Sequence, residues 1–420
     1  MENINNKNNL LKFITCGSVD DGKSTLIGHM LYKAKLIFKD QEDALILESK
    51  IKNNNVIDYS LLLDGLTAER EQGITIDVAY RYFNTRERSF IVADTPGHEE
   101  YTRNMAVGAS FVDLAIILLD ASNIKDDILT QTKRHIRICN LMGIENYVFA
   151  VNKMDLVEYS QIKFCEISEY ISKFLEASSV EYNNKFIIPI SATRGDNIIE
   201  LSDNMSWYKD KALLEYLENI DIKNNKNNKN QDFLMAVQRV SRPDQNFRGF
   251  QGQISEGSVE VGEEITILPS GEKANVKKIY ILDKEAKRVE KGRAVTIALD
   301  KEVDCSRGCV IVKNNKNINN TRLFKADLLW TDNDNLVVGR EYLIKIGTKL
   351  VSGMIININY CVDINTGASI SQKDAKKNDI INCDVSLIEK VVTSSFEDCK
   401  DLGRFVLINK LNNMTSGCGV

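Results

Sequence analysis

The stretch Gly17-Ser-Val-Asp-Asp-Gly-Lys-Ser24 follows an apolar run over residues 10–16 and precedes a helical pattern. Its form is G-x-x-x-x-G-K-S between a strand and a helix. The two glycines let the backbone curl so that successive N–H groups point at one spot, and the helix adds its positive N-terminal end. A polyphosphate fits such a cradle. Lys23 would reach the β/γ-phosphates, the Ser24 hydroxyl would hold Mg²⁺, and Thr25 can donate to the α-phosphate. Leu26 with Met30, and Ile27 with Leu31, recur at helical spacing, so residues 24–35 are expected as an amphipathic helix packed on a sheet. His29 on that helix reads as a surface residue or a satisfied packing residue.

Around this loop lies a chain of 420 residues, enough for two to four domains. Apolar residues make up 43% and charged residues 27%, as in ordinary globular proteins, and the net charge of −5 decides nothing about partners. Residues 1–9 are polar and Asn-rich, without the basic-then-apolar pattern of a signal peptide. The most apolar run, residues 111–121, carries Asp113 and Asp120 and is too short for a bilayer span. A cytoplasmic protein with no membrane association is expected. Nine cysteines, with Cys305 and Cys309 the close pair in sequence, read as reduced, buried thiols rather than a zinc or disulfide framework.

Residues 40–64, with Asn53, Asn54 and Asn55, show no strand pattern and read as an insertion. Downstream, Thr75 could offer its hydroxyl to Mg²⁺ and its N–H to a γ-phosphate, or simply join loop to strand. Residues 79–83 and 89–93 flank a polar turn and predict a β-hairpin. The second strand ends in Asp94-Thr-Pro-Gly97. A carboxylate there can hold Mg²⁺ through water, and a glycine can bring its N–H to a phosphate. His98 follows, either packing or orienting an attacking water.

Residues 113–120 and 146–151 are apolar without alternation, as strands buried on both faces should be, and residues 128–143 between them predict a helix. The second of these strands runs into Asn152-Lys-Met-Asp155. An Asp carboxylate can accept two hydrogen bonds from guanine N1 and N2, a pair that adenine does not offer. A further buried run, residues 186–190, ends in Ser191-Ala-Thr193, whose backbone can meet the guanine O6. Five motifs each stand where an apolar strand yields to a loop, the edge at which open α/β sheets bind ligands. GTP or GDP with Mg²⁺ is the implied ligand. The expected lining is Gly17, Ser18, Val19, Asp20, Asp21, Gly22, Lys23, Ser24 and Thr25, then Asp94, Thr95, Pro96, Gly97 and His98, then Asn152, Lys153, Met154 and Asp155, then Ser191, Ala192 and Thr193. Ser24, Thr75 and Asp94 are the expected metal set, and His98, Lys23 and Thr75 the expected catalytic set.

The fold expected is an α/β P-loop domain, a mostly parallel sheet with helices on both faces, over residues 1–222, followed by two all-β barrels. A polar tract at 223–231 reads as a linker. Short strand patterns at 233–240, 264–268, 276–282, 294–299 and 310–312 predict a first barrel within 232–312. A second tract, 313–320, leads to a second barrel over 321–420. There Met354, Ile356, Ile358, Tyr360 and Val362 alternate with asparagines, predicting a strand with those five on its buried face. Residues 404–409 read as a last strand.

These motifs resemble those of the translation-factor-type GTPases, and most closely the large, GTP-hydrolysing subunits of bacterial sulfate adenylyltransferases. The resemblance rests on residues 17–28, 64–83 and 93–105, on Arg242-Pro-Asp-Gln-Asn-Phe-Arg-Gly-Phe250 and on Tyr360-Cys-Val-Asp-Ile-Asn-Thr366. It implies a GTPase bound to a smaller subunit that joins ATP and sulfate into adenosine 5′-phosphosulfate and pyrophosphate, with GTP hydrolysis driving that uphill step. The chain has no Ser-Gly-Gly-x-Asp-Ser loop of its own for adenylyl transfer. The resemblance also implies that Val19 and Ile74 stand as an apolar gate beside His98. Departures from the family pattern are Asp21, which fits the sulfate family but not elongation factors, a longer loop at 121–128, and Ser206-Trp-Tyr without the family's flanking prolines. An elongation factor carrying aminoacyl-tRNA has the same plan and is the alternative, to be told apart by salt-dependent tRNA binding. The sulfate reading expects no nucleic acid. A front portion of a fusion with an adenylylsulfate kinase also stays open.

Overall fold

In the computed structural model, residues 10–33, 59, 75–178, 180–222, 232–244, 247–314 and 318–420 are described. The expected insertion at 40–64 lies outside these residues except for Tyr59, and so do Asn246, the tract at 223–231 and residues 64–74, Ile74 among them. The chain divides into two compact units, Met1–Ile222 with Asp363–Ala368, and Lys223–Val362 with Ser369–Val420.

The first unit holds a six-stranded sheet. Its strands are β1 (Leu10–Cys16), β2 (Ala79–Asn84), β3 (Ser89–Asp94), β4 (Leu114–Asp120), β5 (Asn146–Asn152) and β6 (Asn184–Pro189), in the order β2-β3-β1-β4-β5-β6. The hairpin partners β2 and β3 run antiparallel, and every other pairing is parallel. All seven residues of β4 and of β5 are buried, because helices cover both sheet faces. The helices are α1 (Lys23–Lys33), α2 (Thr102–Ala109), α3 (Thr130–Leu141), α4 (Gln161–Ala177) and α5 (Leu213–Asn219). On α1, Leu26, Ile27, Met30 and Leu31 enter one core cluster with the sheet residues Phe13, Phe90, Leu114, Ile116 and Leu118. Because β1 sits between β3 and β4, the chain winds one way from β1 to β3 and the other way through β4, β5 and β6. Ligands of such sheets bind beside that reversal, at the carboxyl ends of the strands.

The second unit carries two closed barrels of six antiparallel strands each. In the first, β7 (Leu234–Ala236), β9 (Gly249–Glu256), β15 (Ala294–Leu299), β12 (Glu272–Ile281), β11 (Glu264–Leu268) and β16 (Val310–Val312) close through the β11–β12 and β16–β7 pairs. In the second, β18 (Glu341–Ile346), β22 (Phe405–Asn409), β23 (Thr415–Gly419), β17 (Asn319–Trp330), β21 (Ile380–Thr393) and β19 (Lys349–Val362) close through β18–β19. Closure removes the exposed edges that a short sheet would otherwise leave unpaired. The remaining short strands, β8 (Arg239–Ser241), β10 (Ser258–Glu260), β13 (Lys284–Ala286), β14 (Arg288–Glu290) and β20 (Ser369–Ile370), lie beside these circuits.

Three sequence expectations need correction here. The run at 233–240 is two strands, because Val237 bonds the Cys309 carbonyl and Gln238 the Gln251 carbonyl, so the chain changes partner between β7 and β8. On β19 the inward residues are Val351, Ile355, Ile358 and Cys361, whereas Ile356 is exposed. Register shifts at Ile355/Asn357 and Ile358/Tyr360 break the two-residue period on which the prediction rests. Finally, β22 is followed by β23, which bonds both β17 and β22.

Candidate functional site

The carboxyl ends of β1, β3, β5 and β6 bring the expected loops to one place. After β1, Gly17 turns at φ +150° and Gly22 at φ +91°, with Asp20 left-handed at φ +63° between them. Asp21 closes the loop on itself, its Oδ2 accepting the Ser18 N–H at 2.5 Å. A Cβ on Gly22 would meet Asn152 Nδ2 at 2.5 Å, so another loop packs directly on this one. Lys23, the first residue of α1, is buried and turns back over the loop. Its ammonium donates to the Ser18 carbonyl at 2.7 Å and to the Gly17 carbonyl at 3.2 Å.

Beside it lies the expected metal set. Ser24 Oγ donates to Asp94 Oδ2 at 2.8 Å and stands 3.4 Å from Thr75 Oγ1. Thr15 Oγ1 on β1 donates to the other oxygen, Asp94 Oδ1, at 3.0 Å. Burial pushes the Asp94 carboxyl up, resisted by Ser24, Lys23 and Thr15, and burial pulls the Lys23 ammonium down, resisted by Asp21 and Asp94. A carboxylate and two hydroxyls are the hard oxygen donors that suit Mg²⁺. Thr95 Oγ1 anchors the next turn on the Thr15 carbonyl at 2.6 Å. Pro96 and Gly97 are buried there. At Gly97 a Cβ would meet Lys23 Nζ at 2.5 Å and the Ser18 carbonyl at 2.7 Å, so only glycine lets this segment lie against the phosphate loop. His98 points outward, its Nδ1 accepting the Glu100 N–H at 3.2 Å. Val19 is 39% exposed on the loop tip.

The loops after β1, β5 and β6 are tied together by Asn152 at the end of β5. Its Nδ2 donates to the Asp21 carbonyl at 2.8 Å, and its Oδ1 accepts the Ala192 N–H at 2.9 Å. Lys153 takes a left-handed φ of +60° and places its ammonium 2.7 Å from Asp120 Oδ2. Burial works against the Asp120 carboxylate, but hydrogen bonds from Lys153 and Ser122 outweigh it and hold the carboxyl below its usual range. Met154 is buried and donates its N–H to the Ile190 carbonyl at 3.2 Å. Asp155 is half-buried and Thr193 exposed. Ser191 turns its loop by accepting the Arg194 N–H at 3.2 Å.

Several supporting residues carry no motif. Asp120 is one. Asp196 accepts from Tyr159 Oη, Ser202 Oγ and Asn204 Nδ2 and so fixes the loop after Ser191. Trp207 holds the Tyr159 carbonyl at 3.0 Å. His135 on α3 is fully buried, and its Nδ1 accepts the Gly17 N–H at 3.2 Å. Burial, with Lys23 and Arg134 nearby, pulls that imidazole down to about 3, so it is neutral and able to accept. Of the two readings of His29, the structure shows packing, but not a satisfied residue. The residue is 1% exposed rather than at the surface, and neither ring nitrogen has a hydrogen-bond partner. Its ring lies 4.4 Å from the Tyr59 ring and against Gly195, because Gly28 lets the Tyr59 backbone come close to α1.

Among the described residues, no helix is long and apolar enough to cross a membrane. The Elongation factor Tu GTP binding domain family matches residues 8–220, and the GTP-eEF1A C-terminal domain-like family matches residues 323–420. Sulfate adenylyltransferase subunit 1 of Aliivibrio fischeri (strain ATCC 700601 / ES114) is 48% identical over 413 residues, covering 98% of this chain and 85% of that protein. The protein of the same name from Saccharophagus degradans is 45% identical over 419 residues, covering 98% and 86%. The solved GTPase-like domain of S. cerevisiae Ski7, bound to GTP, superposes with a TM-score of 0.54 at 16% identity, covering 98% of this chain and 96% of that one. That likeness concerns the fold alone. With a parallel-sheet P-loop GTPase domain and two closed barrels in place, the chain belongs to the family of sulfate adenylyltransferase subunit 1, an enzyme component with an Elongation factor Tu-type GTP-binding domain.

Proposed function

We propose that this chain is the energy-coupling GTPase of a two-subunit sulfate adenylyltransferase, in which hydrolysis of GTP drives a smaller subunit to make adenosine 5′-phosphosulfate and pyrophosphate from ATP and sulfate. The observation that carries the reading is the relatives of that name, at 45% identity or more over 98% of the chain. The convergence of five motif loops on one sheet edge supports it. Asp155 would accept from guanine N1 and N2, with Ser191, Ala192 and Thr193 turned toward O6 and Met154 in the wall. Residues 17–22 would offer backbone N–H groups to the phosphates, and Thr25 its hydroxyl. Lys23, now on two carbonyls of its own loop, would transfer its donors to the β/γ-phosphates. Ser24, Thr75 and Asp94 would hold Mg²⁺, which when bound neutralises charge on the β- and γ-oxygens. His98 would turn inward past Val19 to orient the water. Loss of the third phosphate would release the Thr75 and Gly97 segments, a local change that a partner can read. The domain limits at 222 and 320 and a cytoplasmic location belong to the same proposal, and the nine free thiols fit a reducing compartment.

The test mixes the full chain with its smaller subunit, ATP and sulfate. Net phosphosulfate should accumulate with GTP and not with a non-hydrolysable analogue, and His98→Ala should abolish the GTP-driven part while GTP binding persists. Equal accumulation with the analogue would overturn coupling by hydrolysis. Tight, salt-sensitive binding of charged tRNA would speak for the translation reading instead.

A further inference from the structure

The loop entering β16 holds a pair of thiols that the GTPase reading does not use. Cys305 is fully buried, whereas Cys309 is partly exposed. A tight turn brings them together. The Cys309 N–H bonds the Ser306 carbonyl at 3.1 Å, and Gly308 between them takes φ +99°. The Ser306 N–H points at Cys309 Sγ at 3.4 Å, the Ser306 hydroxyl lies 4.0 Å from it, and the Cys305 thiol is an electrostatic neighbour of the same sulfur. From the other side Arg248 grips this loop, donating to the Val303 carbonyl at 2.8 Å and to the Cys305 carbonyl at 2.9 Å. A backbone N–H and a hydroxyl thus meet one sulfur of a partly exposed residue, with a second thiol close by in the same loop. That is the arrangement that stabilises a thiolate and supplies a resolving thiol.

We propose that Cys309 is a site of reversible oxidation by peroxides, resolved by Cys305 into an intraloop disulfide. The Cys309 thiolate attacks one peroxide oxygen, the O–O bond breaks, and the departing hydroxide takes up the proton that the thiol released. Cys309 is left as a sulfenic acid. The Cys305 sulfur then gives up its proton and displaces the new hydroxyl as water. Two thiols lose two electrons and two protons, and one peroxide becomes two waters. A small dithiol reverses the step by exchange. The neighbouring Cys305 thiol, more than the opposing burial, pulls the Cys309 thiol down to about 6, while Cys305 is pushed far up and stays protonated.

The other cysteines provide the contrast. Cys16 and Cys139 lie with sulfurs 3.9 Å apart, yet both are fully buried, so a peroxide has no path to them. Cys165 is exposed on α4 without a partner thiol. Limiting iodoacetamide at pH 7 on the reduced full chain should therefore label Cys309 roughly tenfold faster than Cys165. After stoichiometric hydrogen peroxide, trypsin cleavage behind Arg307 should leave the Cys305 and Cys309 peptides joined until a reductant is added. Cys305→Ser should instead trap Cys309 as a dimedone-reactive sulfenic acid, and Cys309→Ser, a change at a partly exposed position, should give neither product. Faster labelling of Cys165, or separate peptides after oxidation of the folded wild-type chain, would overturn the proposal.

Discussion

The loops proposed to hold the phosphates and those proposed to hold the base are built on opposite principles. At the phosphate end three ionisable groups, Asp21, Lys23 and Asp94, are each at most 7% exposed, and nearby backbone groups and hydroxyls satisfy them. At the base end the weight rests on a neutral amide, Asn152, which bonds the Asp21 carbonyl on one side and the Ala192 N–H on the other. The ion pair there, Lys153–Asp120, stands beside that amide, and the Asp155 carboxylate is only half-buried. Buried charges can exchange partners when a polyanion arrives, because the ligand's charge compensates theirs. An amide bonded at both ends gains nothing by moving. One end is therefore suited to sensing how many phosphates are present, and the other to holding a fixed shape against a base.

That contrast makes Asp155 the residue of largest expected effect. If the base end is rigid, it cannot adapt to a changed hydrogen-bond pattern. Asp155→Asn should lose about a thousandfold in GTP affinity and gain a comparable preference for xanthine nucleotides. Equilibrium competition with a fluorescent nucleotide measures both, and an unchanged guanine preference would break the comparison. At the phosphate end, Lys23→Ala removes a single compact cation but leaves its neighbours free to relax. A loss of about a hundredfold in affinity for GTP is expected, with a smaller loss for a guanosine ligand lacking the β- and γ-phosphates. Equal losses for the two would mean that Lys23 serves the loop's shape and not its ligand. Third comes Asn152→Ala, which leaves the Asp21 carbonyl and the Ala192 N–H without their shared partner. It should cost about 2–3 kcal/mol of stability in urea unfolding without nucleotide. A cost below about 0.5 kcal/mol would show that the two loops hold without the bridge.

How much of this is legible in the sequence follows from the range over which each interaction acts. The phosphate loop, the Asp94–His98 turn and the Asn152–Asp155 turn are short segments whose chemistry is contained within a few consecutive residues, and each stands at a strand end as expected. The unbroken apolar runs of β4 and β5 are legible for the same reason. Asp120, Asp196, Trp207 and His135 are not, because each acts through a partner that is close only after folding. His135 meets Gly17 across 118 positions. Periodicity misleads on β19, where a bulge moves Ile356 to the outside while leaving the apolar spacing intact. His29 stays undecided in the sequence for another reason. No local signal says that Gly28 allows Tyr59 to come against it.

The smallest expected effect concerns how the phosphate loop tolerates acid. His135 accepts the Gly17 N–H only while neutral, and its folded pKa lies well below the ordinary histidine value. Between about 6.5 and 3 the unfolded chain therefore takes up a proton that the folded chain refuses, so His135 subtracts stability as the pH falls through that window, by at most about 1.4 kcal/mol per pH unit. Asp21 acts in the opposite direction. Burial pushes its carboxyl up to about 6, so the folded chain protonates first, and the stability Asp21 contributes is lost as the pH rises from about 4 to about 6. The two effects overlap in any single curve but separate in a difference. His135→Asn places an amide oxygen near the Gly17 N–H without a titrating proton and leaves Asp21 in place. Subtracting its unfolding free energy from that of the wild type should cancel Asp21 and leave His135. Measured by Trp207 fluorescence in a Trp330→Phe background, wild type should lose about 1.5–2 kcal/mol relative to His135→Asn between about pH 6.5 and pH 5. A flat difference would mean that His135 takes its proton inside the folded chain, and that the loop yields there rather than holding the imidazole neutral.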